Sequence, residues 1–217
     1  MTESVGKVGA RLRAGRKSSR RASGGIEPFH GLEVVLEDHG GDLMTLKEVR
    51  LVTVRGAIAA SLDAMEAGGA ALRWARHLLP PRHAEPAAWA VLVRLLDTLD
   101  REVSRPRAVL ALGGLALLAS VGYALELERC IVCGRPCPDG APAHVDATRG
   151  GLVCRRCGGG GRLLDARTRG LAARAQRSPE EGEDWLAPLE ALPPEPTETL
   201  LAILGDAMAA HAGLETG

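Results

Sequence analysis

Residues 130–159 read CIVCGRPCPDGAPAHVDATRGGLVCRRCGG, and this segment contains all five cysteines of the chain. Four of them form two C-x2-C pairs separated by 20 residues, and each pair is followed by a glycine. This spacing is typical of a zinc site, because two thiolates three residues apart can bind one ion from a single tight turn. We therefore predict one structural zinc ion bound by Cys130, Cys133, Cys154 and Cys157, with no open position for catalysis.

The fifth cysteine and one histidine leave other ligand sets open. Cys137 makes the cysteine count odd, which argues against a set of disulfides, and we expect a free thiol at this position. His144 could replace a cysteine as a ligand, although the four thiolates are complete without it. Four thiolates around one divalent ion leave the site doubly negative, so Arg155 and Arg156 are expected to offset part of that charge.

The segments on either side of the cysteine pairs are predicted to be mostly helical. Proline is favoured in the first turn of a helix, and Pro86 and Pro106 stand at the start of apolar stretches. The predicted helices cover residues 57–67, 70–79, 86–102, 106–121, 162–177 and 198–212, with a loop over 178–196. The apolar stretch 108–121 is too short to span about 30 Å of hydrocarbon, so we expect a buried central helix there. No secretory signal is evident, and a cytoplasmic protein is expected.

The first 54 residues are predicted to form strands and loops. Residues 33–37 and 42–46 alternate in polarity around His39-Gly40-Gly41, which indicates a β-hairpin, and further strands are predicted over 5–12 and 49–54. A basic stretch rich in Gly and Ser precedes the hairpin. Its cations are Lys7, Arg11, Arg13, Arg16, Lys17, Arg20 and Arg21.

These seven cations are the predicted DNA-binding residues. The formal net charge of zero conceals their segregation, since residues 1–25 carry one acid while residues 178–217 carry nine acids and no Lys or Arg. A solvated loop without a partner is one alternative interpretation. The alternative basic surface for DNA is the zinc insert with Arg149, Arg155, Arg156 and Arg162, although its thiolates would offset part of that charge. Because Phe29 is the only Phe, Tyr or Trp in the first 73 residues, base stacking can contribute little, and binding should depend on phosphate contacts. We expect such binding to be salt-sensitive and nearly independent of sequence.

Several short motifs, taken together, resemble the RecO family of DNA repair proteins. In the amino-terminal part the motifs are Gly6-Lys7-Val8, Gly15-Arg16-Lys17-Ser18 and Glu27-Pro28-Phe29. Around the cysteines they are Leu117-Leu118, Gly122-Tyr123 with Leu127, Cys130-x2-Cys133-Gly134 and Gly150-Gly151-Leu152-Val153-Cys154. The resemblance extends over about residues 1–160 and depends on the ordered set rather than on any single motif.

The resemblance implies an α+β multidomain fold with three parts. An oligonucleotide-binding (OB) β-barrel would occupy residues 1–54, a helical domain residues 55–129 and 160–217, and a four-cysteine zinc insert residues 130–159. Compared with the family, the barrel is expected to lack its first strand. Met1 would correspond to a position that other members reach only after that strand. The sequence also lacks the basic carboxy-terminal ending that the family leads one to expect.

The resemblance further implies a non-enzymatic function in recombination and repair. A RecO-like protein would bind and anneal DNA, with single strands as the first candidate and double strands as the second. It would cooperate with RecR, contact single-strand-binding protein, and help RecA to replace that protein on single strands. Such a protein would work in the bacterial cytoplasm, at the nucleoid.

Two other interpretations of the cysteines remain open at this point. A zinc-ribbon regulator that binds nucleic acid would explain the cysteines but not the apolar helical middle of the chain. His83-Ala84-Glu85, followed by a C-x2-C pair, is similar to the motif of zinc-dependent deaminases, in which the glutamate transfers protons. The first cysteine pair lacks the preceding proline of that motif, and the second pair would have no role in it.

Overall fold

The amino-terminal part of the chain folds into a three-stranded sheet. A computed structural model describes residues 1–12, 26–177 and 185–212 of the chain. The strands are β1 (Gly9–Leu12), β2 (Gly31–Glu37) and β3 (Leu43–Thr53), and their order in the sheet is β1-β3-β2. β1 runs parallel to β3, whereas β2 runs antiparallel to it.

The hairpin predicted around Gly40 is confirmed as the connection between β2 and β3. Gly40 has a φ of 77°, and its N–H donates to Asp38 Oδ1 at 2.9 Å. The prediction of separate strands over 42–46 and 49–54 is wrong, because Leu43–Thr53 is a single strand, β3, which pairs with β2 from Thr45 to Thr53 across two register shifts. In the part of the chain that the structure describes, the three strands do not close into a barrel, so the OB barrel stays a prediction.

Helices follow this sheet along the chain. They are α1 (Gly56–Ala59), α2 (Leu62–Leu78), α3 (Pro86–Arg101), α4 (Pro106–Ser120), α5 (Ala166–Ala175) and α6 (Pro194–Ala212). The predicted starts at Pro86 and Pro106 are confirmed. Both prolines occupy the first turn, where the N–H that proline lacks would have no partner within the helix.

The prediction of two helices over 57–67 and 70–79 is wrong, because α2 continues through Gly68-Gly69. Glycine is a poor helix former, but Gly68 lies directly under the ring of Phe29. A Cβ on Gly68 would lie 2.8 Å from Phe29 Cε1, so the missing side chain makes room for that ring. Tertiary packing therefore outweighs the local preference against helix.

The predicted bounds of the last two helices also differ from the structure. Residues 162–164 form a strand, and α5 begins only after Asp165, whose carboxylate accepts a hydrogen bond from Thr168 N at 2.9 Å. This side chain caps the helix and fixes its first residue. α6 begins at Pro194, earlier than predicted, because Thr197 N already bonds to Pro193 O at 3.2 Å.

Helix α4 is the centre of the hydrophobic core, as predicted. It is buried over nearly its whole length and contacts α2, α3, α5 and α6. Gly113 and Gly114 let these neighbours approach closely: a Cβ on Gly113 would lie 2.3 Å from Leu95 Cδ1. None of the helices in the described part of the chain is long and apolar enough to cross a membrane.

A second sheet of four strands carries the cysteines. Its strands are β4 (Glu126–Cys130), β5 (Ala143–Asp146), β6 (Gly151–Leu152) and β7 (Arg162–Leu164), in the order β4-β6-β5-β7. We call residues 126–164 the cysteine module. It extends beyond the predicted insert 130–159 on both sides, and its buried Leu127, Val145 and Leu164 belong to the same hydrophobic core as the helices.

Candidate metal centre

Four cysteines of the module converge at one point. The Sγ atoms of Cys130, Cys133, Cys154 and Cys157 all lie within 4.8 Å of one another. The Sγ atoms of Cys133 and Cys154 are 3.8 Å apart. Four thiolates at about 2.3 Å from a tetrahedral zinc ion would be separated by about 3.8 Å. The cluster therefore has the size and the donor chemistry of a closed tetrahedral thiolate site.

The strand pairing explains why these distant residues meet. β4 and β6 are parallel neighbours, so the cysteine turns that follow both strands lie at the same edge of the sheet. In the first turn Gly134 N donates to Cys130 O at 2.8 Å, and in the second Gly159 N donates to Cys154 O at 3.0 Å. Gly134 has a φ of 69° and Gly158 a φ of 103°. These left-handed conformations suit glycine, which has no Cβ.

Backbone N–H groups point at the sulfur atoms and alter their ionisation. Cys154 N donates to Cys130 Sγ at 3.3 Å. Hydrogen bonds from the backbone of Cys154 and Cys133 lower the pKa of Cys130 to about 6. Side-chain interactions with Cys154 and Cys133, which favour the protonated thiol, raise the pKa of Cys157 to about 12. Several thiolates cannot ionise side by side without a cation, so the cluster favours a divalent ion that neutralises them.

Cys137 and His144 do not belong to the group of four. Cys137 is half-buried, packs against the hydrophobic core, and its backbone N–H donates to Glu128 O at 2.7 Å. The structure does not support the alternative of a zinc-dependent deaminase. His83 does not belong to the cysteine group, and its Nε2 atom lies 3.6 Å from Oε1 of Glu85.

Two residues that the sequence did not single out, one on α5 and one directly after it, bond to the module and to the residue that precedes it. Arg169 is buried, and its guanidinium donates to Leu127 O and to Pro138 O, each at 2.8 Å. Gln176 accepts a hydrogen bond from Leu125 N at 2.7 Å and donates to Leu125 O at 3.1 Å. All these contacts join positions more than 30 residues apart in sequence, so no local pattern could have indicated them.

The structure describes only two of the seven predicted DNA-binding residues. Lys7 donates from Nζ to Arg76 O at 2.5 Å, which uses one of its three protons, and Arg11 is exposed on β1. Arg13, Arg16, Lys17, Arg20 and Arg21 lie outside the described residues.

Comparison with known proteins identifies the family. Residues 59–216 match the model of a family described as Recombination protein O C terminal. The chain is 36% identical over 161 residues to a protein named DNA repair protein RecO from Anaeromyxobacter sp. (strain K). That match covers 74% of this chain and 63% of the relative, so the chain spans less than two thirds of that protein's length.

Two further relatives carry the same name. The protein from Geobacter sulfurreducens is 34% identical over 208 residues, which is 95% of this chain and 81% of the relative. The protein from Myxococcus xanthus is 30% identical over 161 residues, which is 73% of this chain and 64% of the relative. The family match covers most of the helices and the whole cysteine module. The chain therefore belongs to the RecO family of DNA repair proteins.

Proposed function

We propose that this protein is a DNA-binding recombination mediator in DNA repair. The observation that carries this proposal is the family match over residues 59–216, which contains the helical core and the cysteine module. The names of the relatives place them in DNA repair. The proposed activity is non-enzymatic: the protein binds DNA and anneals complementary strands.

The proposed partners follow from the same family membership. With RecR, the protein would help RecA to load onto single strands that are covered by single-strand-binding protein. Its place of work would be the bacterial cytoplasm, at the nucleoid, because these substrates are found there. A zinc-ribbon regulator is the weaker candidate, because the cysteine module shares its core with the helices instead of folding as an independent ribbon.

We further propose that the cysteine cluster binds one structural Zn²⁺ per chain. The cluster supplies four sulfur donors with the separations of a tetrahedral site, and a site with four protein ligands leaves no position for a reacting water. When bound, the ion would lock the two cysteine turns together at the edge of the β4–β6 pair. This would fix the surface of the module without taking part in any reaction.

For the DNA contact we propose the basic stretch that contains Lys7, Arg11, Arg13, Arg16, Lys17, Arg20 and Arg21. In this stretch Lys7 precedes β1 and Arg11 lies on it, and β1 pairs with β3 in the amino-terminal sheet. A sheet of this kind can present basic side chains to a polyanion, and we propose that it belongs to an OB-like barrel over residues 1–54. Phosphate contacts would then dominate the affinity.

A strand-annealing assay tests the proposed function. Complementary oligonucleotides are first covered with single-strand-binding protein, and the zinc-loaded protein is then added alone or together with RecR. We expect faster annealing with the protein than without it, and faster loading of RecA when RecR is also present. Unchanged annealing and unchanged RecA loading with a folded, DNA-binding protein would overturn the mediator function while leaving DNA binding intact.

A further inference from the structure

Beside the cysteine cluster the module contains a cavity of about 400 Å³ that the proposed function has not used. Cys130 and Cys154 lie in its wall but Cys133 and Cys157 do not, so the cavity is adjacent to the point where the four sulfurs meet. Its lining contains two arginines, one histidine and otherwise apolar or cysteine residues, and it contains no Asp or Glu. The cavity is therefore suited to an anion with an apolar or aromatic part.

The two arginines of the lining, Arg135 and Arg155, are exposed. Neither has an ion pair within residues 1–12, 26–177 and 185–212, whereas Arg107 pairs with Glu198 and Arg162 pairs with Asp206. Both arginines line the same cavity, because Arg135 follows one cysteine turn and Arg155 lies inside the other. An arginine without a carboxylate partner is available to bind a phosphate through its N–H groups.

The remaining wall is formed largely by short apolar side chains and one imidazole. Pro142 and Ala143 belong to this lining, together with Leu152 of β6 and Val153, which directly follows that strand. His144 is held by its backbone, because its carbonyl accepts a hydrogen bond from Val153 N at 3.0 Å. Its ring is therefore carried on a strand of the sheet. Histidine is among the side chains on which unstacked bases stack in protein complexes.

We propose that this cavity binds one nucleotide of single-stranded DNA. The phosphate would lie between Arg135 and Arg155, and the base would insert against His144 and the apolar wall. The ligand is single-stranded because a base in a duplex is paired and stacked and would first have to be extruded. The proposal rests on the proposed function and makes it more specific, because it supplies the base contact that the amino-terminal stretch lacks.

Charge complementarity favours a nucleic acid over a peptide with a free carboxyl terminus. A carboxylate adjacent to an apolar side chain also fits two arginines and an apolar wall. However, the module exposes three more arginines without an ion pair among the described residues, namely Arg129, Arg149 and Arg156. A phosphodiester backbone presents one charge per nucleotide and can use several of them, whereas a single carboxylate uses only the two in the cavity.

The test uses the zinc-loaded full chain and a single-stranded oligothymidylate with one 2-aminopurine, whose fluorescence reports the surroundings of that base. The double variant Arg135→Ala/Arg155→Ala removes the phosphate contacts, and Ala143→Trp fills the cavity. The matched control Arg167→Ala/Arg174→Ala removes the same charge from exposed positions of α5. Each variant is first checked for one equivalent of zinc, which shows that the module is folded.

The wild-type protein is expected to bind the oligonucleotide and to change the 2-aminopurine fluorescence. The double arginine variant should flatten the slope of log K against log salt by about 0.7, since the two arginines share one phosphate and each neutralised phosphate on a single strand contributes about 0.7. Ala143→Trp should abolish the fluorescence change and weaken binding about tenfold, within the range of one base stack. The control should lose no fluorescence response.

The contrary results separate the two proposals. Tight, salt-dependent binding with no 2-aminopurine response and no effect of the cavity variants would overturn the nucleotide pocket and leave the proposed function standing. Failure of the wild-type protein to bind any oligonucleotide would overturn both. If the cavity variants lose affinity for an N-acetylated peptide with a carboxy-terminal leucine but keep their affinity for DNA, the occupant is a peptide and the nucleotide proposal is wrong.

Discussion

Cys133 is the most exposed of the four clustered cysteines. Its substitution tests the metal site, and substitution of Cys137 is the matched control. Cys133→Ser replaces a thiolate by a hydroxyl, which is a poor zinc ligand. We predict that this variant loses its zinc and that the module unfolds, because zinc binding and folding are coupled in such small sites. Cys137→Ser should keep one zinc per chain, since Cys137 lies outside the cluster. Elemental analysis of both purified variants decides the assignment, and a zinc-free Cys137→Ser protein would contradict it.

Arg169 is the residue through which helix α5 binds the module. Replacing it by Met removes the guanidinium donor from Leu127 O and from Pro138 O, of which Pro138 O still accepts a hydrogen bond from Ala141 N at 3.2 Å. A buried group that loses its partner typically costs about 1–3 kcal/mol of stability, and we predict a loss of this size for Arg169→Met.

The control for this prediction is Arg167→Met, an exposed position on the same helix. It should change the free energy of unfolding by no more than about 0.5 kcal/mol. Urea unfolding of the zinc-loaded proteins, followed by circular dichroism, measures both variants. Equal stability of the two would show that the contacts of Arg169 do not hold the module in place.

At the scale of the elements, the packing of α4 depends on the absence of side chains at Gly113-Gly114. A Cβ on Gly114 would lie 2.6 Å from Trp74 Cζ3 and 2.9 Å from Leu204 Cδ1. We predict that Gly114→Ala lowers the free energy of unfolding by about 1–3 kcal/mol through overpacking. Gly170 on α5 has open space around it. Gly170→Ala should therefore raise stability by up to about 1 kcal/mol through helix propensity. Denaturant titration measures both variants. If both substitutions change the free energy of unfolding in the same direction, this packing argument is wrong.

Local signals in the sequence were sufficient for several elements. These signals determine the structure only within a few residues of their own position. They are the prolines at the starts of α3 and α4, the glycines of the β2–β3 turn and the spacing of the cysteine pairs. The continuity of α2 through Gly68 could not be predicted, because it depends on Phe29, which is distant in sequence. The contacts of Arg169 and the cavity beside the cysteines were missed for the same reason: they exist only once separate strands and helices have been brought together.

At the scale of the whole molecule, the acidic carboxy-terminal part has partners within the fold. Glu198 pairs with Arg107 on α4, and Asp206 pairs with Arg162 on β7. The Arg107 guanidinium holds the pKa of Glu198 below its ordinary value. Acids of α6 thus neutralise cations of the helical core and of the module. The basic amino-terminal stretch carries seven cations and one acid over residues 1–25.

DNA binding through that stretch is the central claim, and a salt titration tests it most directly. The affinity for a labelled single-stranded oligonucleotide is measured at several salt concentrations for the wild-type protein and for Arg16→Ala/Lys17→Ala/Arg20→Ala/Arg21→Ala. We predict that wild-type binding weakens steeply with salt. The quadruple variant should flatten the slope of log K against log salt by about 3, because four phosphate contacts contribute about 0.7–0.9 each. The change should be the same on unrelated sequences. An unchanged affinity and slope in the folded quadruple variant would contradict the account.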